Sequence, residues 1–190
     1  MLLVISGKSG SGKNTVSGRL LSPEMGCHRI VTFTTRPMRP GEKEGVDYHF
    51  VSDEKFSQMV ARRQFAEWKE YHPACGDVWK YGSRITADML NSETIYLIIL
   101  TPAGLRDIKK KFRRHEEDIV SIYLRVPEET LKERLLGRGD YMAEVARRLA
   151  ADKKDFDGFE SSVDYVIDNT GSIDEAVGKI ADIISNRFIE

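Results

Sequence analysis

Near the start of the chain, Gly7-Lys8-Ser9-Gly10-Ser11-Gly12-Lys13 has the residue types and spacing of a phosphate cradle. Glycines let successive backbone N–H groups turn inward around an anion, and a helix N-terminus adds its positive dipole end. Lys13 is placed to reach the β- and γ-phosphates of a nucleotide. The full pattern closes on Ser or Thr, whose hydroxyl binds magnesium; here Asn14 holds that position and Thr15 follows. A plain glycine-rich turn would need neither the lysine nor the strand–loop–helix order around it. The expected ATP site is therefore Gly7, Ser9, Gly10, Ser11, Gly12, Lys13, Asn14 and Thr15, with the metal contact assigned to Asn14 or Thr15.

A second constellation runs Thr32-Phe33-Thr34-Thr35-Arg36-Pro37-Met38-Arg39-Pro40-Gly41-Glu42, then Gly45-Val46-Asp47-Tyr48-His49-Phe50. Arg36 and Arg39, in a proline-restrained segment, can converge on one phosphate with bidentate hydrogen bonds, and Tyr48 and Tyr81 can add hydroxyl donors. Alone, an Arg-x-x-Arg is more often a solvated loop. A third group is Arg134, Arg138, Arg147 and Arg148, with Gly137 and Gly139 among them. Phosphoryl transfer needs charge neutralised on the moving γ-group, and arginines on a closing lid can supply it. The plainer alternative is a charged amphipathic face. His49 and His72 read as structural or solvated, since neither has an acid/base partner in sequence.

The elements that must carry these residues alternate. Leu2–Ser6, Arg29–Thr34, Thr94–Leu100, Ile119–Val126 and Val163–Ile167 read as strands, the third and fourth apolar enough to be covered on both faces. Thr15–Leu21 reads as a helix stopped by Ser22-Pro23. Pro102 can open a helix with Leu105, Ile108 and Phe112 on one face, and Pro127 another with Leu131 and Leu135. Ser172 and Glu175 form a capping box before Ala176, Ile180 and Ile184. The expected class is α/β, a central parallel sheet with helices on both faces. Arg36–Asp88, turn-rich and aromatic with one helix around Phe56, Met59 and Val60, and Arg134–Asp152 read as excursions from it.

The chain's 190 residues suit one domain. With 29 Lys+Arg against 30 Asp+Glu, it has no global attraction to nucleic acid or an anionic membrane, so anion sites must be local. No apolar run approaches the ~20 residues that span a bilayer. Met1–Ile5 leads into Ser6-Gly7 with no basic segment before it, unlike a signal peptide. Cys27 and Cys75 lie far apart without a CxxC pattern, which suggests neither zinc nor a disulfide scaffold. A cytoplasmic protein, monomer or homodimer, with no nucleic-acid or membrane partner, is the expectation.

Together with the phosphate loop, Thr-Thr-Arg-Pro-x-Arg-Pro-Gly-Glu…Gly-Val-Asp-Tyr-His-Phe strongly resembles the guanylate kinase family. The similarity continues through Phe65-Ala66-Glu67-Trp68, Tyr81-Gly82-Ser83 and the lid arginines to Asp164-Tyr165-Val166, essentially the whole chain. The resemblance implies a P-loop nucleoside kinase fold in one domain, 1–190. Its core would be 1–35, 89–133 and 153–190, its nucleoside-monophosphate region 36–88 and its lid 134–152. It implies ATP and GMP as partners, Mg²⁺ as cofactor and GDP (possibly dGDP) as product. Arg36, Arg39, Glu42, Tyr48 and Tyr81 would hold the GMP phosphate region, and Glu67 with Thr32 and Ser83 would read guanine. Lys13, Arg36, Arg138 and Arg148 would carry catalysis, with Arg134 also binding ATP and Asn169 near its adenine. A P-loop kinase of another phosphate-bearing small molecule, such as a ribose bisphosphate, and a weakly catalytic guanine-nucleotide-binding module are the alternatives.

One departure stands out. Family members end the strand after the excursion with Asp-x-Asp and then x-Gln-Gly; aligned on Gly104, this chain has Ile99-Leu100-Thr101 and Pro102-Ala103. Loss of both carboxylates predicts that magnesium relies more on nucleotide oxygens and water, leaving substrate binding more intact than turnover.

Overall fold

The computed structural model describes residues 1–72 and 76–187. Cys75 lies outside these, and Cys27 is buried in the core. In chain order the first elements are β1 (Leu2–Ser6), α1 (Lys13–Leu20), β2 (Cys27–Arg29), β3 (Phe33–Thr34), β4 (His49–Phe50), α2 (Asp53–Ala61), β5 (Glu67–Tyr71) and β6 (Trp79–Ser83). Then come α3 (Ala87–Leu90), β7 (Ile95–Ile99), α4 (Pro102–Lys111), β8 (Ile119–Arg125), α5 (Glu128–Gly137), α6 (Met142–Asp155), β9 (Tyr165–Asp168) and α7 (Ile173–Arg187).

Five strands form a parallel sheet in the order β2-β7-β1-β8-β9. β1 is buried at every position, and its side chains alternate between two cores. Leu3 and Ile5 join Val16 and Leu20 of α1 and Ala176, Ile180 and Ile184 of α7. Leu2 and Val4 face the other way, toward Leu105 and Ile108 of α4 and Phe112 just after it. Helices therefore cover both faces, as the apolar runs require. Thr101 caps α4, its Oγ1 accepting from Gly104 N at 3.3 Å with Pro102 in the first turn. Ser172 Oγ accepts from Glu175 N at 3.2 Å at the start of α7.

The structure corrects the second strand. Arg29–Thr34 is not one element: β2 ends at Arg29, and after Ile30 donates to Leu97 O the chain leaves the sheet. Phe33–Thr34 is β3 of a separate four-stranded sheet, ordered β4-β3-β6-β5. The 36–88 excursion thus holds strands as well as its helix. Their small core is Phe56, Met59 and Phe65, with Phe33, Val51 and Val60 against it. Gly82 in β6 lets the aromatic rings lie on the strand, since a Cβ there would meet Phe65 at 2.9 Å and Phe56 at 3.0 Å. Gly82→Ala is expected to cost about 1–3 kcal/mol by overpacking. Urea unfolding would show this as a lower midpoint at unchanged slope; an unchanged midpoint would mean the rings yield freely.

Candidate active site

The phosphate loop leaves the carboxyl end of β1, where the order places β7 and β2 on one side and β8 and β9 on the other. Open parallel sheets bind ligands at such a switch point. Gly10 and Gly12 have φ of 81° and 87°, left-handed values that favour glycine. Gly12 is also crowded: a Cβ would lie 2.7 Å from Asn169 Nδ2, which donates to Ser11 O at 2.8 Å. Arg134 of α5 donates to Asn169 O at 2.9 Å. Two residues expected at the ATP site are thus brought together against the loop.

Lys13 Nζ donates to Gly7 O at 2.6 Å and Lys8 O at 2.9 Å, folding back over its own loop. Burial lowers its pKa to about 8, Asp152 opposes the shift and Arg138 adds to it. Ser9 N–H donates to Asp152 Oδ2 at 2.6 Å, so a carboxylate from α6 occupies an N–H group of the cradle. Asp152 was not anticipated as a site residue. Its signal is positional, since it lies four residues beyond Arg148 on the same helix face.

Beside the loop lies a cavity of about 560 Å³ lined by Asn14, Thr32, Arg36, Arg39, Glu42, Tyr48 and Tyr81. Arg36 is 4% exposed, its Nη2 on Glu42 Oε1 at 2.6 Å and its Nη1 on Pro37 O at 2.8 Å. Its guanidinium carbon lies 5.3 Å from the centre of the Tyr48 ring. Glu42 Oε2 accepts from Arg39 N at 2.8 Å. Both oxygens of Glu42 are therefore engaged in shaping the arginine segment.

A second cavity of about 340 Å³ shares Thr32, Tyr48, Tyr81 and Ile99 with the first and adds Glu67, Lys69, Ser83 and Thr101. Glu67 is 8% exposed and accepts from Ser83 Oγ at 2.6 Å. Burial pushes its carboxyl above the usual range, while Ser83 and Lys69 pull the other way. Lys69 was also missed. It lies two residues after Glu67 and so on the same side of β5, a periodicity visible only once the segment is read as a strand. Its Nζ donates to Thr101 Oγ1. A third cavity of about 220 Å³ joins Gly7, Ser9, Lys13 and Asp152 to Ile99, Leu100 and Thr101. The end of β7 thus lies between the phosphate loop and the Glu67 pocket.

The helical pair α5 and α6 carries the remaining arginines. Arg138 is the C-terminal cap of α5, immediately before the Gly139 turn. Arg147 donates to Tyr71 Oη at 3.3 Å, linking α6 to β5. Arg148 Nε pairs with Glu144 at 2.8 Å and Nη1 with Asp140 at 3.5 Å, so both groups remain on the lid. Hydrogen bonds from Arg147 and then Arg148 lower Glu144 to about 2. Asn14 and Thr15 are exposed at the start of α1. Among the described residues, no group of three or more His, Cys, Asp or Glu is placed to hold a metal ion. No described helix is long and apolar enough to cross a membrane.

A glycine–lysine loop at the switch point of a parallel sheet, facing an arginine-lined cavity, defines a P-loop kinase. The fold alone is shared with a gluconokinase from Sinorhizobium meliloti 1021, 16% identical with a TM-score of 0.53 over 97% of this chain and 91% of that one. More particularly, the chain belongs to the guanylate kinase family, whose model matches residues 1–187. It is 34% identical to the guanylate kinase of Zymomonas mobilis over 197 residues, covering 100% of this chain and 85% of the relative. It is 32% identical to that of Symbiobacterium thermophilum over 186 residues, covering 97% and 84%. The guanylate kinase structure from Anaplasma phagocytophilum matches with a TM-score of 0.74 at 27% identity, covering 100% of this chain and 87% of that one.

Proposed function

We propose that this chain transfers the γ-phosphoryl group of ATP to a phosphate oxygen of GMP, giving ADP and GDP. Family membership supports the reaction class, and the observation that carries the substrate is Glu67. A buried carboxylate, held by Ser83, opens into the same cleft as Arg36 and Arg39. Guanine offers N1–H and N2–H₂ donors to such a carboxylate and an O6 acceptor to the Thr32 hydroxyl; adenine presents an acceptor at N1. A ribose bisphosphate has no base to engage Glu67. The phosphate loop keeps its lysine and all its glycines, which favours the enzyme over a binding module.

The acceptor phosphate already carries its nucleophilic oxygen, so the chain need only position and neutralise. In this reading Arg36 and Arg39 bind the GMP phosphate, with Tyr48 and Tyr81 beside them. The loop N–H groups and Lys13 bind ATP, and the segment 134–152 closes to bring Arg138 and Arg148 onto the transferring group while 36–88 encloses GMP. Asn14 or Thr15 would lie beside the magnesium that accompanies ATP, whose charge would help neutralise the phosphates, and the end of β7 would supply no carboxylate to it. Initial rates with ATP against GMP, dGMP, AMP, CMP, UMP and ribose 1,5-bisphosphate test the reading. GMP should lead by orders of magnitude, and a preference for any non-guanine acceptor would contradict it.

For ATP to bind, Ser9 N–H must exchange the Asp152 carboxylate for a phosphate oxygen. Asp152→Asn keeps the shape and removes the competing charge. It is expected to tighten ATP binding about three- to tenfold, the gap between a charge-assisted and a neutral hydrogen bond. Titration with a fluorescent ATP analogue reads this directly, and weaker binding would instead assign Asp152 to holding the nucleotide.

A further inference from the structure

Where the family carries the second aspartate of Asp-x-Asp, this chain has Thr101, and a lysine from the base pocket lies against it. The pocket has a direction. Glu67 Oε1 faces Ser83 Oγ at 2.6 Å, while Oε2 faces the start of α4, 3.5 Å from where a Cβ on Gly104 would sit. A 6-oxopurine whose N1–H meets Glu67 therefore lays its 6-oxo group at the hydroxyl end, near Thr32 and Ser83. Its 2-substituent lies at the other end, beside Thr101 and Lys69.

At that end the donors outnumber the acceptors. Thr101 Oγ1 accepts from both Lys69 Nζ and Gly104 N. The ammonium also sits at the N-terminus of α4, the helix end that disfavours a cation. Burial lowers its pKa, with Glu67, Asp107 and Asp155 opposing the shift, and among the described residues it makes no ion pair. A 2-amino group, itself a donor, can reach Glu67 Oε2 there but offers nothing to Lys69. A 2-oxo group instead accepts from Lys69, and a 2,6-dioxopurine keeps both its N1–H for Glu67 and its 6-oxo group for the Thr32 hydroxyl.

We propose that Lys69 sets selectivity at the purine 2-position, and that the pocket accepts a 2,6-dioxopurine nucleotide, xanthosine monophosphate, beside GMP. This rests on the reading of the Glu67 pocket as a purine-monophosphate site.

The test compares kcat/KM for GMP, xanthosine monophosphate and inosine monophosphate in the unmodified chain, in Lys69→Met and in Thr101→Asp. Inosine monophosphate, with no 2-substituent, is the reference. The unmodified chain should use xanthosine monophosphate within about tenfold of GMP. Lys69→Met keeps the apolar stem and removes the donor, so the xanthosine-to-guanosine ratio should fall on the order of 10- to 100-fold. Thr101→Asp retains a capping residue and supplies an acceptor to Lys69 and to the 2-amino group, so the ratio should fall there too. A chain that uses GMP but ignores xanthosine monophosphate, or a ratio within about twofold of the original in both variants, would overturn this inference alone. A chain that phosphorylates none of the three would overturn the proposed function and this inference with it.

Discussion

Lys13→Ala is expected to lose phosphoryl transfer by about 10³-fold or more while the chain remains folded. Electrostatic groups aimed at developing charge contribute on the order of 10²–10³ each, and Lys13 also helps bind ATP. Among the described residues its ammonium bonds only to Gly7 and Lys8 carbonyls of its own loop, so its removal takes nothing from either core. A companion effect follows from its lowered pKa of about 8. ATP binds the protonated lysine, so binding is strongest below that pKa and weakens as pH rises through it, by about tenfold at pH 9 relative to pH 7. The alanine variant should lose this alkaline decline. Full activity in folded Lys13→Ala would remove the phosphate loop from the mechanism, and a pH profile identical in both proteins would assign the decline elsewhere.

Glu67→Gln should lose GMP use by about 10²–10³-fold and bring the GMP-to-AMP preference down by more, because sites built to hydrogen-bond a substrate can discriminate by ~10⁴. The carboxylate accepts from both guanine donors, whereas an amide offers one acceptor and one clashing donor. That donor would suit adenine N1, so AMP use should hold or rise. The pH profile carries a second signature. Burial raises the Glu67 pKa, with Ser83 and Lys69 opposing and Asp107 adding to the rise. The ionised form reads guanine, so kcat/KM for GMP should fall on the acid side at a pH above the ordinary carboxylate range. Glu67→Gln should lack that limb. A GMP preference that survives the substitution would refute the base assignment.

Much of this was legible in the residues. The core strands carry apolar side chains on both faces because both faces are covered, and Leu2–Ser6, Thr94–Leu100 and Ile119–Val126 all match strands to within a residue or so. The phosphate loop declares itself because glycine, lysine and helix start must fall in one order. Arg29–Thr34 misleads because its β-branched run continues while the chain changes sheets, a tertiary event that leaves no local mark. In the second sheet β3 and β4 have two residues each, so alternation has no room to register, and β5 carries Glu67 and Lys69 on one side where an apolar pair would have marked a strand. Missing those strands also hid Lys69, since its side of the chain is defined only by the pleat. The absent Asp-x-Asp was visible as a loss of negative charge. What stands in its place, a capping threonine in contact with a lysine thirty-two positions earlier, required the fold.

The central claim is tested most directly by product identification. The unmodified chain is mixed with ATP, GMP and magnesium, and the reaction is followed by ³¹P NMR. ADP and GDP should appear in equal amounts as ATP and GMP disappear, with no inorganic phosphate accumulating in step. ATP consumed to free phosphate with GMP untouched, or no reaction by a folded protein that binds both nucleotides, would contradict the account.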